Sequence, residues 1–448
     1  MTKNELKAKV CQAIAARKQE ILALGNAIYA EPELGYKETK TAAKVEAAFG
    51  SLGLDYSKGH ALTGVKARMK GNASKRTVAM LGELDAIVCP DHPMADPASG
   101  AAHCCGHNVQ IAAMVAVGMG LKDAGAMQHL GGDVVLFAVP AEEYVEITYR
   151  NNLREQGKIE YFGGKAELIR LGDFDDVDMA LQMHVQTTAN QQELDSGKGS
   201  VALSSTSNGF IGKLVQYTGR ASHAAAAPDQ GVNALNACMM GVMGVNALRD
   251  TFKESDYVRF HPIITQGGDL VNVVPSDVRM ESYVRAASTA ALKGYNEKIN
   301  RALEAGAMAL GAGVKIQDLP GYLPLYNDTT LNDLFGANAG ALVGEEKVVL
   351  SPHMSGSTDT GDLSHIMPVC HPWVGGCSGS LHAKNYAIFD EELVYVQTAQ
   401  AIAMTIIDLL YGEAETAELV LHNHKNLMSK AEYLTFMESV NKTTTFGE

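Results

Sequence analysis

Asp133-Val134-Val135-Leu136-Phe137-Ala138-Val139, followed at once by Pro140-Ala141-Glu142-Glu143, is the stretch whose reading decides the fold. Its residues are apolar on both faces, the mark of a strand covered on both sides in a largely parallel sheet. Pro140 stops the strand, and two adjacent carboxylates sit just beyond its C-terminal end. Residues 77–84 read as a second apolar strand with Asp85 at its end, and residues 178–183 as a third, ending in His184. Open α/β sheets bind ligands at their carboxyl edge, so Asp85, the Glu142/Glu143 pair and His184 mark a candidate site.

Between the strands at 77–84 and 133–139 lies His103-Cys104-Cys105-Gly106-His107-Asn108, four potential metal ligands in six residues, ahead of an apolar helix at 109–121. A thiolate and an imidazole separated by one glycine can converge on a cation whose bonds are about 2.0–2.3 Å long. Alone, the hexapeptide also fits a buried cysteine pair beside a satisfied histidine.

Composition excludes several classes of function. The chain has 448 residues, 46% hydrophobic and 20% charged, with a formal charge of −14. Neither nucleic acid nor an anionic membrane is an expected partner of so acidic a protein. The first nine residues are polar, no apolar run of membrane-spanning length is read, and seven cysteines lack a framework spacing. A cytoplasmic protein with free thiols is the expectation.

Apolar spacing predicts an amphipathic helix over 2–30 and a second over 39–52, closed by Gly53. From residue 206 the texture changes. Residues 210–217, 258–265 and 278–285 alternate like half-buried strands, while 231–248 is a helix-like run. The expected organisation is a catalytic domain in two parts, 1–205 and 321–448, with an inserted α+β domain at 206–320. A closing helix is expected at 390–410 and a helical extension at 416–442.

A two-metal hydrolase needs imidazole, thiolate or carboxylate ligands and one further carboxylate to move the proton of the attacking water. Cys105, His107, Glu143, His184 and His382 fill the ligand places, and Glu142 the place of general base. The opposing reading, a thiol nucleophile made of Cys104 and His103, needs an accessible, activated cysteine.

The motifs resemble those of the co-catalytic metal amidohydrolases and peptidases, the group of aminoacylase, hippurate hydrolase, indole-acetyl-amino-acid hydrolase and aminobenzoyl-glutamate hydrolase. Pro32-Glu33-Leu34-Gly35 with Glu38, Glu83-Leu84-Asp85-Ala86, the hexapeptide, Pro140-Ala141-Glu142-Glu143, His184 and His382 follow the family's order. Asn108, where most members carry Asp, and the loop Ser355-Gly356-Ser357-Thr358-Asp359-Thr360-Gly361-Asp362 are similar to the aminobenzoyl-glutamate hydrolase branch. Asn108 is therefore expected to change the charge around the cations by one unit.

The resemblance implies a zinc-exopeptidase-like fold and two divalent cations, with zinc first and manganese, cobalt or nickel as alternatives. It also implies a lid and dimerisation role for the inserted domain, and hence a homodimer. His223, in Gly219-Arg220-Ala221-Ser222-His223, matches a lid histidine that hydrogen-bonds the scissile carbonyl. Asn272 matches a substrate-positioning residue, and Arg285 an arginine that holds the substrate's free carboxylate. Asp85 and His103 are expected to orient the ligands from behind. The expected reaction is hydrolysis of the amide bond of an N-acyl or N-aroyl amino acid. A dipeptidase or carboxypeptidase, or a non-catalytic metal-binding protein, is the alternative.

Overall fold

Asp133–Val139 is a strand whose seven residues are all buried. It pairs in parallel with Thr77–Glu83, which is likewise buried along its whole length. Met179–Leu181 adds in parallel to Thr77–Glu83, and Val369–Cys370 adds in parallel beyond it. On the other side Gly64–Met69 and then Tyr56–His60 extend the sheet antiparallel. The sheet is mixed and mostly parallel, as strands with two dry faces require.

Helix His107–Asp123 packs on Thr77–Glu83, and Lys3–Ala16, Lys18–Tyr29 and Thr398–Leu410 pack around it. All of its residues from His107 to Leu121 are buried. A helix apolar on every side is stable only at the centre of such a layer.

The computed structural model describes residues 1–188 and 200–447, which divide into two units. The first comprises Met1–Thr206, Tyr326–His353 and Asp362–Ser429. The second comprises Ser207–Leu325, Met354–Gly361 and Lys430–Glu448. The second unit has its own antiparallel sheet, in the order Arg259–Gln266, Asp277–Ala286, Gly209–Thr218, Gly313–Pro320 and Thr443–Phe446. Helices Ala234–Ala247 and Thr289–Leu310 pack on each other and on this sheet.

Several local expectations are corrected. The opening helix is two helices, because Arg17 (φ −93°, ψ 8°) breaks the run. Thr2 and Glu5 form a reciprocal capping box at its start. The strand expected at 178–183 is only Met179–Leu181. His184 instead opens His184–Thr187, which pairs in parallel with Trp373–Ser378 in another sheet. The closing helix begins with a π-helical stretch, Glu392–Gln397. By length and composition Glu392–Leu410 is apolar enough to cross a membrane, and 89% of its apolar window is buried inside the protein. The helical extension expected at 416–442 forms as Glu415–Asn423 and Lys430–Val440, and beyond it lies the strand Thr443–Phe446, paired with Gly313–Pro320 in the second unit.

Candidate metal centre

Parallel strands end together, so their chemistry collects at one edge. Glu83 is the last residue of Thr77–Glu83 and Asp85 follows it; Glu142 and Glu143 lie just past Asp133–Val139. His107 is the first residue of its helix, capped by Gly106 in a left-handed turn (φ 84°). A Cβ on Gly106 would fall 2.3 Å from Val185 Cγ2. Only glycine allows both the turn and this close approach.

The donors converge. Cys105 Sγ lies 3.2 Å from His184 Nε2 and 3.2 Å from His382 Nε2. His382 Nε2 is in turn 3.1 Å from Glu143 Oε1. Cys105, His107 and His184 form one group of mutually close donors, and Cys105, Glu143 and His382 another. Cys105 is common to both. His107 Nδ1 lies 2.8 Å from the Asp85 carbonyl oxygen, and His184 Nδ1 lies 2.7 Å from that of Val185. Each carbonyl accepts the Nδ1–H and leaves Nε2 to face the cluster, the usual arrangement behind a metal-bound imidazole. Asp85 also accepts the Glu143 N–H through its side-chain Oδ2 at 2.9 Å, so one residue, by its backbone carbonyl and its carboxylate, fixes parts of both groups.

The set fits a pair of divalent cations. His107 Nε2 and Glu143 Oε1 are buried yet form no hydrogen bond among the described residues. Bonds of about 2.0–2.3 Å to a tetrahedral cation hold neighbouring donors roughly 3.2–3.7 Å apart, close to the spacings around Cys105. Sulfur and imidazole donors suit zinc and its neighbours.

Electrostatics agree with the geometry. Burial and the Glu143 charge push the Cys105 thiol up, but His184, His382 and His107 outweigh them and bring it to about 6. Burial also pushes Glu143 up, and His382 and His107 outweigh it, leaving the carboxyl at about 2. Cys104 is the opposite case: burial, with Cys89 beside it, drives its thiol far above the ordinary range. A buried, protonated thiol is a poor nucleophile, which weighs against the thiol mechanism. His103 is brought down to about 3, first by burial, so it stays neutral. Both its ring nitrogens are without a hydrogen bond among the described residues, so the expected bond to a ligand or to Asp85 is not formed.

The loop carrying Glu142 is tightly held. Ala141 takes a left-handed conformation (φ 55°) and donates its N–H to Glu38 Oε1 at 2.8 Å. The buried Arg150 donates to the carbonyls of Phe162 and Glu143. Helix Gly164–Leu171 starts so close to this loop that a Cβ on Gly164 would fall 1.6 Å from the Pro140 oxygen. Glu142 Oε2 comes to 3.8 Å from His107 Nε2. Sequence reasoning missed Arg150 altogether, and it missed the anchoring role of Glu38, whose only signal was its place after the Pro32–Gly35 turn. Asn108 turns away from the cluster, donating to Tyr395 Oη at 3.0 Å and to the Gly25 carbonyl at 3.3 Å. Its expected effect on the charge around the cations is corrected accordingly.

Three expected site residues lie in the second unit. His223 is exposed, and its Nδ1 accepts the N–H groups of Ala225 and Ala226 at 3.2 and 3.0 Å. A neutral ring accepting at Nδ1 carries its proton on Nε2. The Asn272 carbonyl accepts the Ala224 N–H at 2.9 Å, which ties its turn to that of His223. Arg285 donates from Nη1 to Ser357 Oγ at 2.7 Å, with its guanidinium 5.3 Å from the ring centre of Phe210.

Amide hydrolysis is the chemistry that a thiolate, imidazole and carboxylate cluster beside a second glutamate equips a sheet edge to perform, and by class the protein is a metal-dependent amidohydrolase. The chain belongs to peptidase family M20/M25/M40, whose family model matches residues 79–406. It is similar to the Xaa-Arg dipeptidase of Mus musculus, with 29% identity covering 91% of this chain and 90% of that one. It is 25% identical to the N-acyl-L-amino acid amidohydrolase of Geobacillus stearothermophilus, covering 73% of this chain and 82% of the relative. Its fold matches that of the Bacillus subtilis YXEP protein, described as a dinuclear metal binding peptidase, with TM-score 0.66 and 20% identity, covering 88% of this chain and 99% of the other.

Proposed function

We propose that the protein hydrolyses the amide bond joining an acyl or aroyl group to an amino acid with a free carboxylate. The observation that carries this reading is the pair of donor groups sharing Cys105, with Glu142 beside them. Cys105, His107 and His184 would hold one divalent cation, and Cys105, Glu143 and His382 the other. Zinc suits these donors best, with manganese, cobalt or nickel as alternatives. The cations, when bound, supply Lewis acidity toward the amide carbonyl and the attacking water.

The chain's own groups supply the rest. Glu142 accepts a proton from the water and delivers it to the nitrogen of the leaving amino acid. His223 donates its Nε2–H to the carbonyl oxygen as negative charge develops there. Arg285, a planar fork held by Ser357, receives the substrate carboxylate, and Asn272 positions the same end. A homodimer formed through the second unit is supported by exposed Met239, Met240 and Met243 on one helix and Ile263 and Ile264 on the edge strand. Retention of Glu142 argues against a non-catalytic role.

The similarity to an Xaa-Arg dipeptidase favours a second reading, in which the acyl group is itself an amino acid. Comparing kcat/KM for N-acyl amino acids, aminobenzoyl-glutamate and dipeptides at equal metal loading tests the choice. The first reading expects acyl and aroyl substrates to lead; a tenfold or greater lead for dipeptides selects the second.

A further inference from the structure

Glu83 ends a central strand and is 1% exposed, yet it belongs neither to the two donor groups that share Cys105 nor to the loop that carries Glu142. Its carboxylate is almost fully subscribed. Oε1 accepts from Lys165 Nζ at 2.6 Å and from Gln182 Nε2 at 2.5 Å; Oε2 accepts from Gln110 Nε2 at 2.7 Å. A carboxylate oxygen has two lone pairs, so one acceptor position remains, on Oε2. That oxygen lies 3.0 Å from His107 Nε2.

His107 Nε2 is the nitrogen left free by the Asp85 carbonyl, and its approach to Oε2 lacks hydrogen-bond geometry among the described residues. Two acceptor atoms at this distance, with no proton in line between them, are placed as two ligands of one cation are placed. Glu83, His107 and Glu142 also form a group of mutually close donor atoms.

We propose that Glu83 is a further cation ligand at the His107 end of the centre, with Lys165 as the buried countercharge that lets a third anionic donor sit beside Cys105 and Glu143. The inference rests on the metal centre of the proposed function and adds to it a ligand and its counterion. Lys165 is 0% exposed and enters from the helix whose close start Gly164 permits, so its ammonium has been brought to this place at the cost of desolvation. The Lys165 ammonium, 2.6 Å from Oε1, compensates the buried Glu83 charge. Gln110 and Gln182 then orient the carboxylate, as outer partners of ligating groups do.

The test is cation stoichiometry and affinity, read by elemental analysis after dialysis and by competition with a chromogenic chelator. Glu83→Gln alone strands a buried ammonium, so the decisive protein is Glu83→Gln/Lys165→Met, which removes both charges at similar volume. Its folding is checked by circular dichroism. The expected result is a folded protein whose affinity for one cation falls tenfold or more, on the order of the loss seen when supporting groups of a metal site are removed, while the other cation is held as before. Lys165→Met alone keeps the carboxylate and retains more of that affinity than the double variant. A folded double variant that binds both cations as tightly as the parent overturns the assignment and leaves Glu83 a structural ion pair. Cys105→Ala separates this failure from that of the centre itself: if it too keeps both cations, the shared-sulfur centre is wrong, and the Glu83 inference goes with it.

Discussion

His184 and His382 lie at the same 3.2 Å from one sulfur, yet the chain presents them in opposite ways. His184 is buried on a strand, its Nδ1 tied to the Val185 carbonyl and its ring centre 4.4 Å from that of Trp373. The His382 side chain is 47% exposed, and its backbone is left-handed (φ 60°), a conformation that costs a non-glycine residue about 1 kcal/mol or more. A main-chain bond to the Cys104 carbonyl at 2.9 Å anchors its turn. One half of the centre is thus built into the sheet, and the other is offered on a turn at the surface. The two halves are therefore unequal: the His184 side is held by buried strand contacts, and the His382 side by an exposed turn.

Removing the shared donor should erase the comparison. Cys105→Ala is expected to lose both cations and to bring turnover to background, measured by elemental analysis beside an amidase assay. Next in size, Glu142→Gln should lower kcat by roughly 10²–10⁴-fold, the usual contribution of a positioned proton carrier, with cation content unchanged. A variant that loses its cations as well would make Glu142 a ligand.

The comparison is sharpened by His184→Ala against His382→Ala. The first removes a packed, buried ring and should lower the melting temperature of the cation-free protein; the second should leave it within a degree or two and speed the release of one cation. Equal effects would mean the halves are equivalent. Smallest of all, Asn108→Asp should leave cation content and kcat near those of the parent. It should destabilise the fold by about 1–3 kcal/mol, because a carboxylate there faces the Gly25 carbonyl without a donor. Denaturant titration reads that loss.

Much of this is legible in the sequence where the signal is local. Asp133–Val139 matches its reading to the residue, because an unbroken apolar run that Pro140 ends admits few alternatives. The five residues expected to bind cations do gather at one place in the first unit. Less is legible where tertiary contacts decide. Nothing in residues 178–184 themselves reveals that the chain leaves one sheet after Leu181 and enters another at His184. Nothing in the sequence around Lys165 marks it as the partner of Glu83, 82 positions away, because only the fold brings the two together. Asn108 reads as a charge change at the centre because sequence adjacency to His107 says nothing about direction, and consecutive helix positions point about 100° apart.

The most direct test of the shared-sulfur centre is anomalous diffraction from crystals equilibrated with zinc or manganese, collected at the absorption edge of the metal. Two peaks are predicted, each about 2.3–2.5 Å from Cys105 Sγ, one beside His107 and His184 and the other beside Glu143 and His382. A single peak, or two with Cys105 bonded to neither, would contradict the account.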